Sequence, residues 1–175
     1  MPNEVVEYQR RSMRLKEYDY SNPGAYFVTV VTYHRMNIFG TIDHGIVQMS
    51  QIGRIVEKTW LEIPSHFPLA TPDAYVIMPN HIHGILIINN HVEATHASPL
   101  PTNKRKIQPL GMIVGSFKSS VTKRVHEAGL FTQEKIWQRN YYDHIIRDED
   151  DYCKICEYIE FNPINWEFDH ENPAR

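Results

Sequence analysis

The chain has 175 residues, 42% of them hydrophobic, with 18 lysines and arginines, 21 aspartates and glutamates, and two cysteines. This length suits one domain, spanning residues 1–175, that buries a core of its own. No apolar run approaches 18 residues, which excludes a membrane span, and the polar N-terminal segment lacks the apolar region of a signal peptide. Two cysteines cannot form a disulfide scaffold, so we expect a cytoplasmic protein.

The net charge of −3 conceals an uneven distribution of charge along the chain. Residues 143–175 hold ten acidic and three basic residues, whereas residues 94–126 hold six basic residues and no acidic one. A local basic patch attracts phosphate, although a solvated helix face with basic side chains has the same composition. The charge pattern therefore permits a nucleic-acid partner without establishing one.

The first half of the chain favours strands followed by a helix. Residues 24–33 are rich in Val, Thr and aromatic side chains and predict a central strand, and residues 37–49 predict a hairpin that turns near His44. Ser50 is a predicted N-cap, since apolar residues then recur at helical spacing until Pro64 ends the helix.

The second half predicts two strands and two helices. Residues 74–78 and 81–88 are the strands, and the polar segment 89–108 is interpreted as a flexible loop. Helices are predicted after Pro109 and from the acidic residues 148–151 to the residue before Pro163, leaving residues 163–175 as a C-terminal tail. The order of elements favours an α+β fold, with helices packed mainly on one face of a sheet.

His81 and His83 are the first candidate site residues. They are two positions apart in a strand, so both side chains point to the same face. A lone histidine is usually an ordinary strand residue, but two on one face of a very apolar strand are costly to bury without a partner. The pair therefore predicts a site for a metal ion or a phosphate, with a third ligand from elsewhere in the chain.

Tyr158 and Asn162 are four residues apart on the last predicted helix, so they lie on one face of it. A phenolate beside a bound phosphate can act as a nucleophile and form a covalent phosphotyrosine, if a nearby cation or base assists its ionisation. A tyrosine at the border of a helix is more often a packing residue, and Asn162 can be a simple helix end before Pro163.

Several short motifs occur one after another across nearly the whole chain. They are residues 14–16 (RLK), 18–20 (YDY), 26–29 (YFVT), 78–84 (MPNHIHG), 117–119 (FKS), 137–147 (WQRNYYDHIIR) and 158–163 (YIEFNP). Together they resemble the single-tyrosine transposases of the HUH superfamily (His, bulky hydrophobic, His). The resemblance is to the branch of REP-associated tyrosine transposases and their insertion-sequence relatives.

The resemblance implies a ferredoxin-like antiparallel sheet and a DNA transposase-type enzyme. Such an enzyme nicks and rejoins single-stranded DNA, often beside a hairpin, through a 5′-phosphotyrosine intermediate with Mg²⁺ or Mn²⁺. By position, His81, His83 and Asn162 would be metal ligands and Tyr158 the nucleophile. Family members differ in whether the active site forms within one chain or across a homodimer, so a homodimer is a possible partner state.

Basic residues are predicted to bind the DNA strand through its phosphates. These are Lys104, Arg105, Lys106, Lys118, Lys123, Arg124, Arg139 and Arg147. Trp137, Tyr141 and Tyr142 are candidates for stacking on bases, although Trp137 and one of the tyrosines fit core positions better. Some acids of residues 143–175 are expected to aid metal binding or to limit loose contact with DNA.

Two other functions remain open from the sequence. One is a domesticated relative that binds DNA hairpins without cleaving them, and the other is a metal-dependent hydrolase that uses the histidine pair without Tyr158. The spacing of Cys153 and Cys156 indicates no zinc site, because no second pair of cysteines accompanies it.

Overall fold

A computed structural model describes residues 19–20, 22–90, 108–132 and 135–174 of the chain. Its strands are β1 (Gly24–Val31), β2 (Gly40–Asp43), β3 (Ile46–Met49), β4 (Ala70–Ile77), β5 (His81–Ile88) and β6 (Tyr142–Ile146). Its helices are α1 (Gln51–Leu61), α2 (Ile63–His66), α3 (Leu110–Glu127) and α4 (Glu149–Phe161), with short 3₁₀ turns at Tyr33–Arg35 and Trp166–Phe168. Most of the predicted loop 89–108 lies outside the described residues.

Four strands form an antiparallel sheet in the order β4-β5-β1-β6. The chain reaches β4 from β1 through α1, and β6 from β5 past α3, so each crossover skips one strand. This is the ferredoxin-like arrangement, and the predicted α+β class with an antiparallel sheet is confirmed. The predicted hairpin is also confirmed as β2 and β3, which turn at His44 and Gly45, both with positive φ.

The main core lies between one face of the sheet and the helices α1 and α3. Alternate residues of the central strands, such as Tyr26, Val28, Ile82 and Leu86, point into it and are buried against helix residues such as Trp60. Helices thus cover mainly one face, as predicted, and α4 is the helix on the opposite face. There Ile159 packs against Phe27 and Ile85 in a smaller apolar cluster.

Two parts of the sheet differ from the prediction. β4 begins at Ala70 rather than at residue 74, because an edge strand tolerates Pro72 where the register shifts before Tyr75. β6 was not predicted as a strand, since Asp143 and His144 interrupt its apolar pattern. Among the described residues it pairs with β1 alone, at the edge of the sheet, where one side chain in two can remain polar.

The last helix is fixed to the sheet near its N-terminus. Asp148 caps the helix by accepting a hydrogen bond from the Asp151 amide at 2.9 Å. Asp151 in turn contacts His144 of β6 at 2.8 Å, and the hydroxyl of Tyr152 donates to Asp73 of β4 at 2.5 Å. These contacts hold α4 across the face of the sheet that carries the histidine pair.

Gly84 lets the indole of Trp60 pack directly against β5, one residue after His83. A Cβ atom at Gly84 would lie 2.6 Å from the Cζ2 atom of Trp60, inside van der Waals contact. We expect Gly84→Ala to lower the free energy of unfolding by about 1–3 kcal/mol, because the core must expand to admit the methyl group. Urea denaturation measures this change.

The control for that substitution is Gly115→Ala in α3. No atom of the described residues lies within 4 Å of a Cβ atom placed there. Alanine is the better helix former, so Gly115→Ala is expected to leave the protein as stable or to stabilise it slightly. Equal destabilisation by the two variants would contradict the packing assigned to Gly84.

Candidate metal centre and nucleophile

The pairing of β1 with β5 sets the face on which the site forms. His83 lies directly opposite Thr29, and His81 lies opposite Val31. Because side chains alternate along a strand, both imidazoles point away from the main core and towards α4. The sequence prediction that the two histidines share a face is therefore confirmed.

The two imidazoles converge on one point. Their Nε2 atoms are 2.9 Å apart, and both side chains are buried. Each Nδ1 atom has its own partner: the amide Oδ1 of Asn80 lies 2.8 Å from His81 Nδ1, and the Thr29 hydroxyl lies 2.8 Å from His83 Nδ1. The partners on the Nδ1 side leave the Nε2 atoms turned towards each other and towards α4.

Asp169 completes this cluster from beyond the end of α4. After the 3₁₀ turn at Trp166–Phe168, the chain brings the Asp169 Oδ2 atom to 3.9 Å from His81 Nε2 and 4.0 Å from His83 Nε2. The Glu171 amide donates to the other carboxylate oxygen at 2.6 Å, which orients the side chain. Sequence reasoning missed Asp169, since the tail showed an excess of acids but no periodicity that marks one of them.

Asn162 lies beside Asp169 at the end of α4. Its Nδ2 atom donates to Asp169 Oδ2 at 3.1 Å, and its side chain is buried. Its Oδ1 atom is buried without a hydrogen-bond partner among the described residues. A buried amide oxygen without a donor is costly in a folded protein, and a cation is one group that satisfies it. The metal-binding role of Asn162 stays a prediction.

Burial controls the protonation of the cluster. Loss of water lowers the pKa of His81 well below its usual value, and the neighbouring His83 lowers it further. Burial also lowers the pKa of His83, so both imidazoles are neutral near pH 7. Burial of Asp169 raises the pKa of its carboxyl, but the nearby His83 imidazole and the hydrogen bond from the Glu171 amide outweigh this and hold that pKa below its usual range.

The cluster fits a divalent cation. When two nitrogen atoms bind the same ion, each at about 2.1 Å and with the two bonds at right angles, the nitrogens lie about 3 Å apart. The Nε2 atoms of the two imidazoles are 2.9 Å apart, which is close to that distance. Neutral imidazoles offer lone pairs and the Asp169 carboxylate offers charge, and all three side chains can share one ion. His81, His83 and Asp169 are thus a group that could bind a metal.

Tyr158 borders this cluster in the same chain. Its hydroxyl lies 3.2 Å from His83 Nε2, while its ring meets Phe27 edge-on and 47% of the residue is exposed. Burial and the charge of Asp169 raise the pKa of the phenol to about 12, against an opposing hydrogen bond with Asn162. The phenol is therefore protonated at neutral pH, and its free edge is open to solvent.

The predicted DNA-binding residues that the structure describes differ in their surroundings. Arg124 pairs with Glu62, and its guanidinium also donates to Thr59 at 3.1 Å, which ties α3 to α1. Lys123 is exposed beside Glu127, and Arg139 and Arg147 are exposed. Three others, Lys104, Arg105 and Lys106, lie outside the described residues.

The side chain of Lys118 is bound to the backbone of a neighbouring segment. Its ammonium donates to the carbonyl oxygen of Gln138 at 2.5 Å, and the carbonyl oxygens of Arg139 and Asn140 lie at 3.3 and 3.4 Å. The indole of Trp137 donates to the Lys118 carbonyl at 3.1 Å and packs in the core, as one alternative from the sequence expected. Lys118 therefore anchors the segment that leads into β6.

This environment gives Lys118 a pH signature. Burial lowers the pKa of its ammonium to about 8, whereas the unfolded chain has the usual value of about 10.4. Between these values the unfolded state binds more protons, so stability rises with pH. We therefore compare the free energies of unfolding of the native protein and of Lys118→Met. Their difference, native minus variant, is expected to increase from pH 8 to 10. A flat difference in urea denaturation would contradict the burial of this charge.

Comparison with known proteins gives two curated relatives, both from Haemophilus influenzae. One, named only as an uncharacterized protein, is 40% identical over 168 residues, which cover 93% of this chain and 92% of the relative. The other, named as a candidate REP-associated tyrosine transposase, is 26% identical over 148 residues, covering 83% of this chain and 73% of the relative. No family model matches the chain.

Two solved structures share the fold. The structure of a REP-associated tyrosine transposase bound to a REP hairpin superposes with a TM-score of 0.60 at 18% identity, covering 89% of this chain and 75% of that one. A candidate transposase from Deinococcus radiodurans gives a TM-score of 0.50 at 15% identity, covering 84% of this chain and 95% of that one. The chain therefore shares its fold with these two transposases, and its sequence is similar to that of the candidate REP-associated tyrosine transposase.

No helix in the described part of the chain is both long and apolar enough to cross a membrane.

Proposed function

We propose that this protein cleaves and rejoins single-stranded DNA through a covalent 5′-phosphotyrosine at Tyr158, with a divalent cation held by His81, His83 and Asp169. The observation that carries this proposal is the 3.2 Å distance between the Tyr158 hydroxyl and His83 Nε2, at the edge of a buried cluster suited to a cation. Asn162, with its buried and unpartnered Oδ1 atom, is a further ligand in this proposal.

The proposed reaction conserves the phosphodiester bond energy. The Tyr158 oxygen attacks the scissile phosphorus and loses its proton to solvent, the new O–P bond forms, and the bond from phosphorus to the 3′ oxygen breaks. The released 3′ oxygen takes up a proton as a free hydroxyl. A 3′-hydroxyl later attacks the phosphotyrosine, which restores the phenol and a DNA phosphodiester, so no nucleotide cofactor is consumed.

The residues divide this chemistry between them. Tyr158 is half-exposed, so a phosphate can approach its hydroxyl, and the ring contacts with Phe27 and His83 hold it in place. With a pKa raised to about 12, the phenol of the ion-free protein is a weak nucleophile at neutral pH. A divalent ion such as Mg²⁺ or Mn²⁺, when bound, supplies positive charge that favours the phenolate and offsets charge on the phosphate.

Single-stranded DNA flanked by a hairpin is the proposed partner. Support comes from the related transposase structure, which is bound to a REP hairpin. Of the basic residues predicted to bind phosphate, Lys123, Arg139 and Arg147 are exposed. The proposed nucleophile and imidazoles belong to one chain, so this reaction needs no homodimer.

The test combines the purified protein with Mn²⁺ and an oligonucleotide labelled at both ends that carries a hairpin and single-stranded flanks. The expected result is a protein–DNA adduct that survives denaturation, together with a fragment ending in a 3′-hydroxyl, both absent when the ion is chelated. Binding without cleavage across Mg²⁺ and Mn²⁺ would favour a hairpin-binding protein. Cleavage without any adduct would favour a metal-dependent hydrolase.

A further inference from the structure

Asn80 is a buried residue that the proposed chemistry does not use. It lies between β4 and β5, immediately before His81, and its side chain is fully buried. Its Nδ2 atom donates to the carbonyl oxygens of Glu171 at 2.6 Å and Arg35 at 3.2 Å, and its Oδ1 atom lies 2.8 Å from His81 Nδ1. Both the NH₂ group and the oxygen of this side-chain amide are thus engaged in hydrogen bonds.

The two carbonyl partners fix which way the amide faces. A carbonyl oxygen only accepts, so the NH₂ group must lie towards Glu171 and Arg35, and the amide oxygen must lie towards His81. That oxygen also only accepts, so His81 must donate from Nδ1. A neutral imidazole has one N–H, which leaves the lone pair of His81 on Nε2, the atom that faces His83 and Asp169.

His83 differs from His81 in this respect. Its Nδ1 atom meets the Thr29 hydroxyl at 2.8 Å, and a hydroxyl both donates and accepts. The tautomer of His83 is therefore free to change, for example to donate from Nε2 to His81 when no ion is bound. Of the two imidazoles in the cluster, that of His81 has the partner that allows a single tautomer.

The same amide also holds the segment that carries Asp169. The Glu171 carbonyl accepts from Asn80, and the Glu171 amide donates to Asp169 Oδ1 at 2.6 Å. A second tether joins the side chains of Glu171 and Arg35 at 2.7 Å. Asn80 therefore contacts both sides of the cluster, the imidazole from β5 and the backbone that orients the carboxylate.

We propose that Asn80 is a positioning residue that presets His81 as an ion ligand and, through the Glu171 carbonyl, couples that ligand to the docking of Asp169. The inference rests on the proposed function, in that it concerns the same ion site. A partner outside the ligand shell that fixes tautomer and ring orientation is worth about 10–100-fold in metal affinity at other sites.

The first test needs no substitution. Two-dimensional ¹⁵N–¹H spectra of the imidazoles, recorded on the full chain near neutral pH without metal, distinguish the Nδ1–H from the Nε2–H tautomer. The expected result for His81 is Nδ1–H, with assignment by its loss in His81→Gln. An Nε2–H tautomer for His81 would overturn the inference, whatever the protein does with DNA.

The second test separates the two contacts of the amide. In Asn80→Asp an oxygen can still accept from His81, but the other oxygen has no hydrogen to donate to Glu171. We expect the His81 tautomer to persist. Hydrogen exchange of the Glu171 amide is expected to become about tenfold faster, because the loss of one hydrogen bond makes local opening easier by about that factor. Unchanged exchange at Glu171 would remove the coupling from the proposal.

Ion affinity completes the design. Asn80→Ala loses both contacts and is expected to bind Mn²⁺ about 10–100-fold more weakly than the native protein in calorimetric titration. Thr59→Val, also buried but on α1 across the sheet, is the control for general destabilisation and is expected to keep native affinity. Should Asn80→Ala fail to fold, Asn80→Ser takes its place in the same titration.

The outcomes distinguish this inference from the proposed function. If the native protein binds no Mn²⁺, the ion site itself is wrong. If the native protein binds Mn²⁺ and the Asn80→Ala or Asn80→Ser variant binds it equally well, the ion site stands and the role of Asn80 is overturned.

Discussion

Replacing Tyr158 by phenylalanine is expected to abolish the covalent protein–DNA adduct and to reduce strand cleavage by at least about 1,000-fold, since the nucleophile itself is removed. The substitution deletes one oxygen and keeps the ring that packs against Phe27 and His83. Mn²⁺ affinity is therefore expected to change little. Cleavage is measured on denaturing gels with the labelled hairpin oligonucleotide.

Two further variants make this result specific to Tyr158. Tyr75→Phe, on the opposite face of the sheet, loses one hydrogen bond of 3.2 Å to Glu57 and is expected to form adduct normally. Tyr142 is the competing phenol, because it is exposed and its ring also meets Phe27. An adduct that persists in Tyr158→Phe and disappears in Tyr142→Phe would assign the nucleophile to β6.

Loss of an imidazole is the second large effect. His83→Ala removes the side chain that contacts His81, Tyr158 and Thr29 at once. We expect Mn²⁺ affinity to fall by more than about 100-fold, since partners outside the ligand shell alone are worth about 10–100-fold. Adduct formation should fall with it, and calorimetric titration together with the adduct assay measures both.

The control for this variant is His66→Ala, an exposed histidine at the end of α2. It is expected to keep native Mn²⁺ affinity and adduct formation. If His83→Ala still forms adduct at the native rate with the same dependence on Mn²⁺, the histidine pair has no part in the reaction.

Local spacing was sufficient to predict much of the candidate site. The two-residue period of a strand puts His81 and His83 on one face, and the helical period puts Tyr158 and Asn162 on one side of α4. Both patterns are local, so they can be recognised in the sequence without knowledge of the fold. That Tyr158 faces the histidine pair depends on the packing of α4 across the sheet, which the apolar residues around Ile159 bring about.

Asp169 and Asn80 illustrate what local patterns do not contain. Asp169 lies in a segment without regular periodicity, and its position depends on a turn after α4 and on the Glu171 amide. The role of Asn80 depends on two backbone carbonyls that are distant in the chain. Backbone contacts of this kind leave no mark in residue type or spacing.

Charge was the weakest guide to function. Lys118 and Arg124 look alike in a count of basic residues, yet one holds backbone carbonyls and the other joins two helices. The acid-rich C-terminal segment supplies both the Asp148 cap of α4 and Asp169 of the cluster. A net charge of −3 therefore says little about affinity for DNA.

The most direct measurement is mass spectrometry of the adduct after digestion with nuclease and trypsin. Cleavage after Lys154 yields a peptide of residues 155–175 with Tyr158 as its single tyrosine, whereas Tyr141 and Tyr142 fall in the peptide of residues 140–147. The expected product is a nucleotide joined through its 5′ phosphate to the first of these peptides. A nucleotide on residues 140–147, or cleaved DNA with no modified peptide, would contradict it.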